Sequence, residues 1–506
     1  MGEMIGFDSA VLLEALSRVL DPFNILIVFL GVAGGIIIGI IPGMGATMAI
    51  AILIPFTFTM LPETGMALLV AVYIGSVSGG CLTAILIRLP GTPASVATLL
   101  DGFPMATQGK AGQAISNAVV ASFFGTIISG IILIFSAPLL AAFALKFHFA
   151  EYVAVCVFAL TAISAVSGSS MAKGLLTGML GVLLATFGIS EEDGVPRFNF
   201  GSDMFLGGFT FLPALMGLFA VSQIMVEVAN MKSAKKVKAI SIESILPSLT
   251  SIRQNLGNYL RSGLIGTVIG VIPAVGGATA GLISYAQAKN ASKEGEKFGT
   301  GHIPGIVASE TANNAAIGGA LIIMLTLGIP GDPATAVLIG GLMIHGLEPG
   351  PRLFMSYPEV LYAIYLTVFL GAFFMMFVLL AFMRPLAKVM ELPKEILLPL
   401  LFVLAATGVY STNNRVFDIL VMCGFGCLGY ILERMRYPLA PLVLGFVLGP
   451  LIEGNFRKML GQYGDVWPLF TQPIALMFMV LTLGSILWTI RTRWKAANAS
   501  AQEPSP

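Results

Sequence analysis

Gly39-Ile40-Ile41-Pro42-Gly43-Met44-Gly45-Ala46-Thr47 stands between two apolar runs. It returns 231 residues later as Gly270-Val271-Ile272-Pro273-Ala274-Val275-Gly276-Gly277-Ala278-Thr279. A second pair follows in the same order. Pro90-Gly91-Thr92-Pro93-Ala94-Ser95 is answered by Pro330-Gly331-Asp332-Pro333-Ala334-Thr335 at an offset of 240, each after a Gly-Gly pair, Gly79-Gly80 and Gly318-Gly319. One Pro-Gly match would be weak, but two motif types in order at similar offsets mark an internal repeat. Pro42 lacks an N–H and ends the preceding helix, and the glycines admit backbone angles closed to other residues. From Thr47 a new helix can start. Its first N–H groups have no intrahelical partner and carry partial positive charge that suits carboxylates and phosphates. At membrane depth such groups are satisfied by protein, water or ligand. Kinks for close helix packing are the plainer alternative, since small residues allow that too.

Outward from the motifs, the composition sets the class. Of 506 residues 57% are hydrophobic and only 10% charged, with mean hydropathy +0.92, against roughly 25% charged in soluble domains. A balance of 27 basic and 26 acidic residues excludes a polyelectrolyte surface for nucleic acid. Apolar runs near 23–41, 114–145, 150–166, 204–228, 359–383, 396–411, 416–432 and 470–490 are clear spans, and those near 66–87, 172–189, 259–272 and 437–452 are interrupted ones. The expected fold is an all-α polytopic integral membrane protein. It has about 10–12 transmembrane helices plus re-entrant or broken half-helices, in two repeats that are inverted as in many secondary transporters. The expected division is an N-terminal surface segment 1–22, a first repeat half 23–230, a Lys-rich connection 231–258, a second half 259–490 with additional helices, and a tail 491–506. Lys232, Lys235, Lys236 and Lys238, and Arg491, Arg493 and Lys495 of the tail, place both segments in the cytoplasm by the positive-inside rule, and Glu191-Glu192-Asp193 outside.

Polar residues inside apolar sequence are the second clue, because charge at the bilayer centre is costly. Ser309-Glu310-Thr311-Ala312-Asn313-Asn314, if helical, puts Glu310, Asn313 and Asn314 on one face, suited to a cation or to substrate hydroxyls; an N-terminal cap is the other reading. The 12-residue apolar stretch from Gly318 to Ile329 is short enough for a half-helix. Asp332 is a turn-capping residue or a cation ligand, and Arg88 attracts an anion or reaches for an interface. Asp101-Gly102-Phe103-Pro104-Met105-Ala106 with Gly109-Lys110 has no phosphate-loop spacing and reads as a shaped loop. Three isolated His and four scattered Cys offer no metal framework, and no nucleophile–base or metalloprotease pattern occurs, so an enzyme is not expected.

Gly39 to Thr47, Gly79-Gly80 through Pro90-Gly91-Thr92-Pro93 to Asp101–Ala106, Ile272-Pro273 to Thr279, Ser309–Asn314 and Ile329-Pro330-Gly331 together resemble the large membrane subunit of the tripartite tricarboxylate transporters. The resemblance runs from about residue 20 to 490, and Ala274 departs from the glycine of the first repeat. It implies a bacterial inner-membrane, cation-coupled importer of small carboxylates, with a smaller membrane subunit and a periplasmic substrate-binding protein as partners and no cofactor. The neutral oxygens of the motifs favour sodium as the coupling ion. The candidate substrate- or ion-binding set is Gly43, Gly45, Ala46, Thr47, Gly91, Thr92, Ser95, Gly276, Gly277, Thr279, Asn313, Asn314, Gly331 and Thr335, with Arg88, Glu310 and Asp332 as charged contributors. A passive anion channel or uniporter is the alternative class.

Overall fold

The structure is a computed structural model that describes residues 13, 16–166, 170–190, 192–231, 242, 248–273, 275–390 and 392–500. The Lys232–Lys238 cluster and nearly all of the N-terminal segment before Ser17 lie outside the described residues, as do the side chains of Arg493 and Lys495. Helix dominates, with one antiparallel pairing of β1 (Gly188–Ile189) and β2 (Pro196–Arg197). Among the described residues ten helices are long and apolar enough to cross a membrane. The chain is an all-α, multi-pass membrane protein.

It divides into two compact units, residues 1–144 with 211–430, and residues 145–210 with 431–506. Both copies of both motifs lie in the first unit. Its first half runs through α1 (Pro22–Ile40), α2 (Ala46–Thr57), α3 (Pro62–Ile87), a short 3-10 turn (Pro93–Val96), α4 (Leu99–Met105) and α5 (Ala111–Ala144). In the second unit α6 (Phe149–Val166) and α7 (Met171–Ala185) join the hairpin and the C-terminal helices. After α8 (Phe211–Asn230) in the first unit, the second half runs through α9 (Leu256–Val271), α10 (Gly276–Ala291), α11 (Ile303–Leu327), α12 (Pro333–Ile344) and α13 (Pro358–Ala381). Then come α14 (Lys394–Asn413) and α15 (Val416–Arg434), and, in the second unit, α16 (Leu439–Tyr463) and α17 (Pro473–Ser500).

Small residues set the helix crossings, as they do where lipid removes the hydrophobic drive between helices. A methyl group added at Gly31 of α1 would lie 2.9 Å from Ala71 of α3, and one at Gly39 would lie 2.8 Å from the Ser76 Cα. Contacts that advance along both helices together make α1 and α3 parallel, with α2 returning the chain between them. The second half repeats this: Gly266 of α9 abuts Ala312 of α11 (2.7 Å to Cα) and Gly270 abuts Ala316 (2.9 Å to Cα). α3 ends beside the start of α4, where Gly102 abuts Ile85 (2.7 Å), and the start of α11 is held at that same end by Asp101, which accepts the His302 N–H at 2.8 Å. Farther along, Ser78 of α3 donates to Asn314 of α11 at 2.6 Å. α11 therefore starts where α3 ends, and the two halves run in opposite directions. They also interlock: α5 of the first half packs on α11, and α13 of the second packs on α3.

Two expectations are corrected. The stretch Gly318–Ile329 is not a separate half-helix, because α11 is one buried helix of 25 residues. The polar run Ser309–Asn314 that interrupts the hydropathy lies inside this helix and is accommodated by side chains of the other half. The half-length helices are α2 and α12, 12 residues each, directly after the motifs. The segment Asp101–Ala106 is not a loop but mostly α4. Phe103 lies under the Arg88 guanidinium, 5.6 Å from the ring centroid, and Asp101 is satisfied by the second half; neither contact is implied by Gly and Pro as turn formers.

In the second unit Gly181 of α7 and Gly445 of α16 bring those helices together, a methyl at Gly445 lying 2.9 Å from the Gly178 carbonyl carbon. The β1–β2 hairpin is tied to α16 by Arg197–Glu453 (2.8 Å), Arg457–Asp193 (2.8 Å) and Lys458–Glu192 (3.4 Å).

Candidate functional site

At the first break α1 ends at Ile40, and Gly43 turns the chain with φ +90°, a conformation that side-chain-bearing residues rarely adopt. A Cβ at Gly43 would also lie 2.7 Å from the Glu227 carboxyl carbon. Lys394 of α14 donates to the Pro42 carbonyl at 3.1 Å and pairs with Glu227 of α8 at 2.6 Å. The lysine thus supplies a donor to the Pro42 carbonyl in the break beyond the helix end. Neither Glu227 nor Lys394 was a sequence candidate, since both lie far along the chain and outside the motifs. α2 then starts at Ala46 behind Gly45, with no side-chain cap. Ala46 is buried and Thr47 half-buried.

Its counterpart in the second half, α10, likewise starts at Gly276 without a side-chain cap, Gly276 having φ +65°. Gly277 faces Asn313 of α11: an added Cβ would stand 2.6 Å from the Asn313 Oδ1 and 3.3 Å from the Ala94 Cβ. Thr279 is half-buried in the same first turn.

The second motif type differs between the halves. Asp332 caps α12 in a reciprocal box, accepting the Thr335 N–H at 2.8 Å while the Thr335 hydroxyl accepts the Asp332 N–H at 2.9 Å. Tyr73 of α3 donates to the other carboxylate oxygen across the halves. In the first half Thr92 stands where Asp332 stands in the second, 240 residues earlier, and Asn313 stands 240 after Tyr73. Thr92 and Asn313 are buried, yet the Thr92 hydroxyl and both Asn313 amide atoms make no hydrogen bond of ordinary geometry among the described residues. Ser95 turns back to the Thr92 carbonyl at 2.9 Å. One cross-half polar pair is made, and its repeat equivalent is not.

Glycines let the breaks approach. Gly91 sits against Thr83 Oγ1 (2.5 Å to an added Cβ) and beside the Gly39 carbonyl, while Gly331 sits against the Ala320 Cα (2.5 Å) and the Gly270 carbonyl (2.8 Å). An added Cβ at Gly45 would stand 3.8 Å from Pro93, and one at Gly276 would stand 3.6 Å from the Asp332 Cβ. The structure thus brings together Gly45, Gly91, Thr92, Gly276, Gly277, Asn313, Gly331, Asp332 and Thr335. It does not bring Arg88 there: that residue is exposed, in a left-handed conformation at the end of α3. Gly43 faces Glu227 instead.

One turn along α11 from Asn313, Glu310 is fully buried. Thr98 donates to one carboxylate oxygen, and Ser122 reaches the other at 3.1 Å with the Asn314 amide at 3.4 Å. Asn314 is thereby part of a polar network with Ser78 and Ser122 and does not front the breaks. Asp101, missed as a functional residue, accepts the Gly299, Gly301 and His302 N–H groups at 2.8–2.9 Å and the Tyr285 hydroxyl at 2.9 Å. Asp101 thus gathers the N–H groups of the turn that leads into α11, and its negative charge beside that helix start suits the helix dipole.

Interlocked inverted halves, with interrupted helices meeting at buried polar groups, are the architecture of membrane transporters built from repeats. The Tripartite tricarboxylate transporter TctA family matches residues 25–444, and the chain belongs to that family. An uncharacterized 52.8 kDa protein in the TAR-I ttuC' 3'region of Agrobacterium vitis is 36% identical over 484 residues, 96% of this chain and 94% of that relative. An uncharacterized protein in the TAR-II ttuC' 3'region of the same organism is 37% identical over 223 residues, 44% of this chain and 92% of that relative. No solved structure is significantly similar. The family makes the chain a component of a tricarboxylate transporter, which points away from catalysis.

Proposed function

We propose that this chain is the transport subunit of a sodium-coupled importer of small carboxylates in a bacterial inner membrane. It takes substrate from a periplasmic binding protein and works with a smaller membrane subunit. The reading is carried by the meeting of the breaks at Thr92 and Asn313, buried polar groups whose hydrogen bonds remain unmade. Helix starts without side-chain caps, at α2 and α10, offer N–H groups to a carboxylate, and neutral oxygens of Asn313, Thr92 and helix-end carbonyls suit sodium. The positive tail faces the cytoplasm in this arrangement.

The test is uptake of labelled citrate, succinate, malate and benzoate into proteoliposomes holding this chain with its membrane partner. Each is run with and without an imposed sodium gradient and the binding protein. Uptake that needs both supports the reading, and equilibration without a gradient would make the protein a passive anion channel or uniporter. Asn313→Leu is expected to raise KM about tenfold or more, the loss of a hydrogen bond to a charged group. An unchanged KM removes Asn313 from the site.

A further inference from the structure

Glu310 has no cationic partner among the described residues. The described ion pairs of the chain all involve other carboxylates. α3, α4, α5, α9, α10, α12 and the turn 93–96 pack against α11. α5 carries no titratable residue, and neither does the turn 93–96. α3 carries Glu63, Tyr73 and Cys81, α4 carries Asp101, and α9 carries Tyr259 and Arg261; α10 carries Tyr285 and Lys289, and α12 is capped by Asp332. None of these donates to Glu310 or pairs with it among the described residues. Arg261 holds Asn258 at 2.5 Å, Tyr285 holds Asp101, and Tyr73 holds Asp332. A carboxylate buried without a counter-charge inside a membrane helix is too costly to keep ionised throughout.

The hydrogen bonds around it accommodate both protonation states. Ser309 donates to the Ile306 carbonyl at 3.1 Å, so toward Thr98, 3.3 Å away, its hydroxyl oxygen is free to accept. The Thr98 hydrogen has two acceptors in reach, Glu310 Oε1 and Ser309 Oγ. On the opposite side the bonds are fixed: Asn314 donates to Ser122 at 2.8 Å and accepts from Ser78 at 2.6 Å, leaving the Ser122 hydrogen for Glu310 Oε2.

We propose that Glu310 is a proton-binding site of this transporter. As a carboxylate it accepts from Thr98. When a proton from water arrives at Oε1, the acid donates to Thr98, which turns its own hydrogen to Ser309; release to water reverses that single hydroxyl rotation. The site rests on the transporter reading and adds a proton to the ions bound during the cycle, one helical turn along α11 from Asn313.

Infrared difference spectra of the purified chain between acid and alkaline pH test the site without any substrate. A protonated-carboxyl band is expected that is lost in Glu310→Gln. In Thr98→Val, where the bond favouring the charged form is gone, its midpoint is expected to move up by about one pH unit. An identical band in wild type and Glu310→Gln overturns the proposal. So does a band that sodium titrates at constant pH, since the cation would then be sodium. In proteoliposomes, carboxylate uptake by Glu310→Gln is expected to lose the pH dependence of wild type. Wild-type proteoliposomes that take up none of the four carboxylates would count against the transporter reading, while the infrared result would still decide Glu310.

Discussion

Gly39→Ala tests the geometry that holds the breaks together. The added methyl would lie 2.8 Å from the Ser76 Cα and carbonyl carbon, where carbon atoms rest at about 3.5–4.0 Å. α1 and α3 must therefore part locally by roughly 1 Å, at a cost of about 1–3 kcal/mol. Alanine also gains about 1 kcal/mol of helix propensity over glycine. Gly34, on the same helix, separates the two effects because an added Cβ there meets nothing within 4 Å. Gly34→Ala keeps the propensity gain without the clash, so the difference between the variants isolates the crossing. It should be about 1–3 kcal/mol in reversible unfolding of the purified chain by sodium dodecyl sulfate. Gly270→Ala, the repeat equivalent, should resemble Gly39→Ala, its methyl lying 2.9 Å from the Ala316 Cα. Because Gly91 packs on the Gly39 carbonyl, Gly39→Ala should also slow carboxylate uptake. If Gly39→Ala and Gly34→Ala unfold alike, the close crossing is wrong.

Two further outcomes are expected. Asp101→Ala strips the acceptor from three N–H groups in the turn before α11 and should cost about 1–3 kcal/mol in the same assay, against about 0.5–1.5 for Tyr285→Phe; equal, negligible losses would refute this anchoring role. Ser190 and Arg457 hold the Asp193 carboxyl well below its ordinary range. A depressed carboxylate stabilises the fold above its unfolded pKa, near 3.9, and that contribution fades as pH falls toward the folded value. Protection of the 188–197 hairpin against hydrogen exchange, relative to the intrinsic rate at each pH, should accordingly fall on acidification below about pH 4, and Arg457→Ala should flatten that fall. A hairpin whose exchange ignores both would sink the assignment.

Local chemistry determined much of this protein. Twenty-residue apolar runs with few charges have one stable backbone solution in lipid, so α1, α5, α8, α13, α14 and α15 lie close to where hydropathy puts them. The order of Pro-Gly motifs located the breaks, because proline and glycine act on their own residues' backbone angles. Hydropathy failed at α11, where the polar run Ser309–Asn314 breaks the apolar pattern yet lies inside one buried helix, the helical of its two readings. Tertiary structure alone decided that Tyr73 meets Asp332 while Thr92 and Asn313 make no such pair among the described residues. It also decided that Lys394 covers Pro42, that Asp101 serves the approach to a helix 200 residues away, and that Glu310 takes its hydrogen bonds from neutral groups. A sequence period gives the face on which a side chain lies. The group opposite depends on how two inverted halves cross, and that is set by glycine contacts summed over the whole unit.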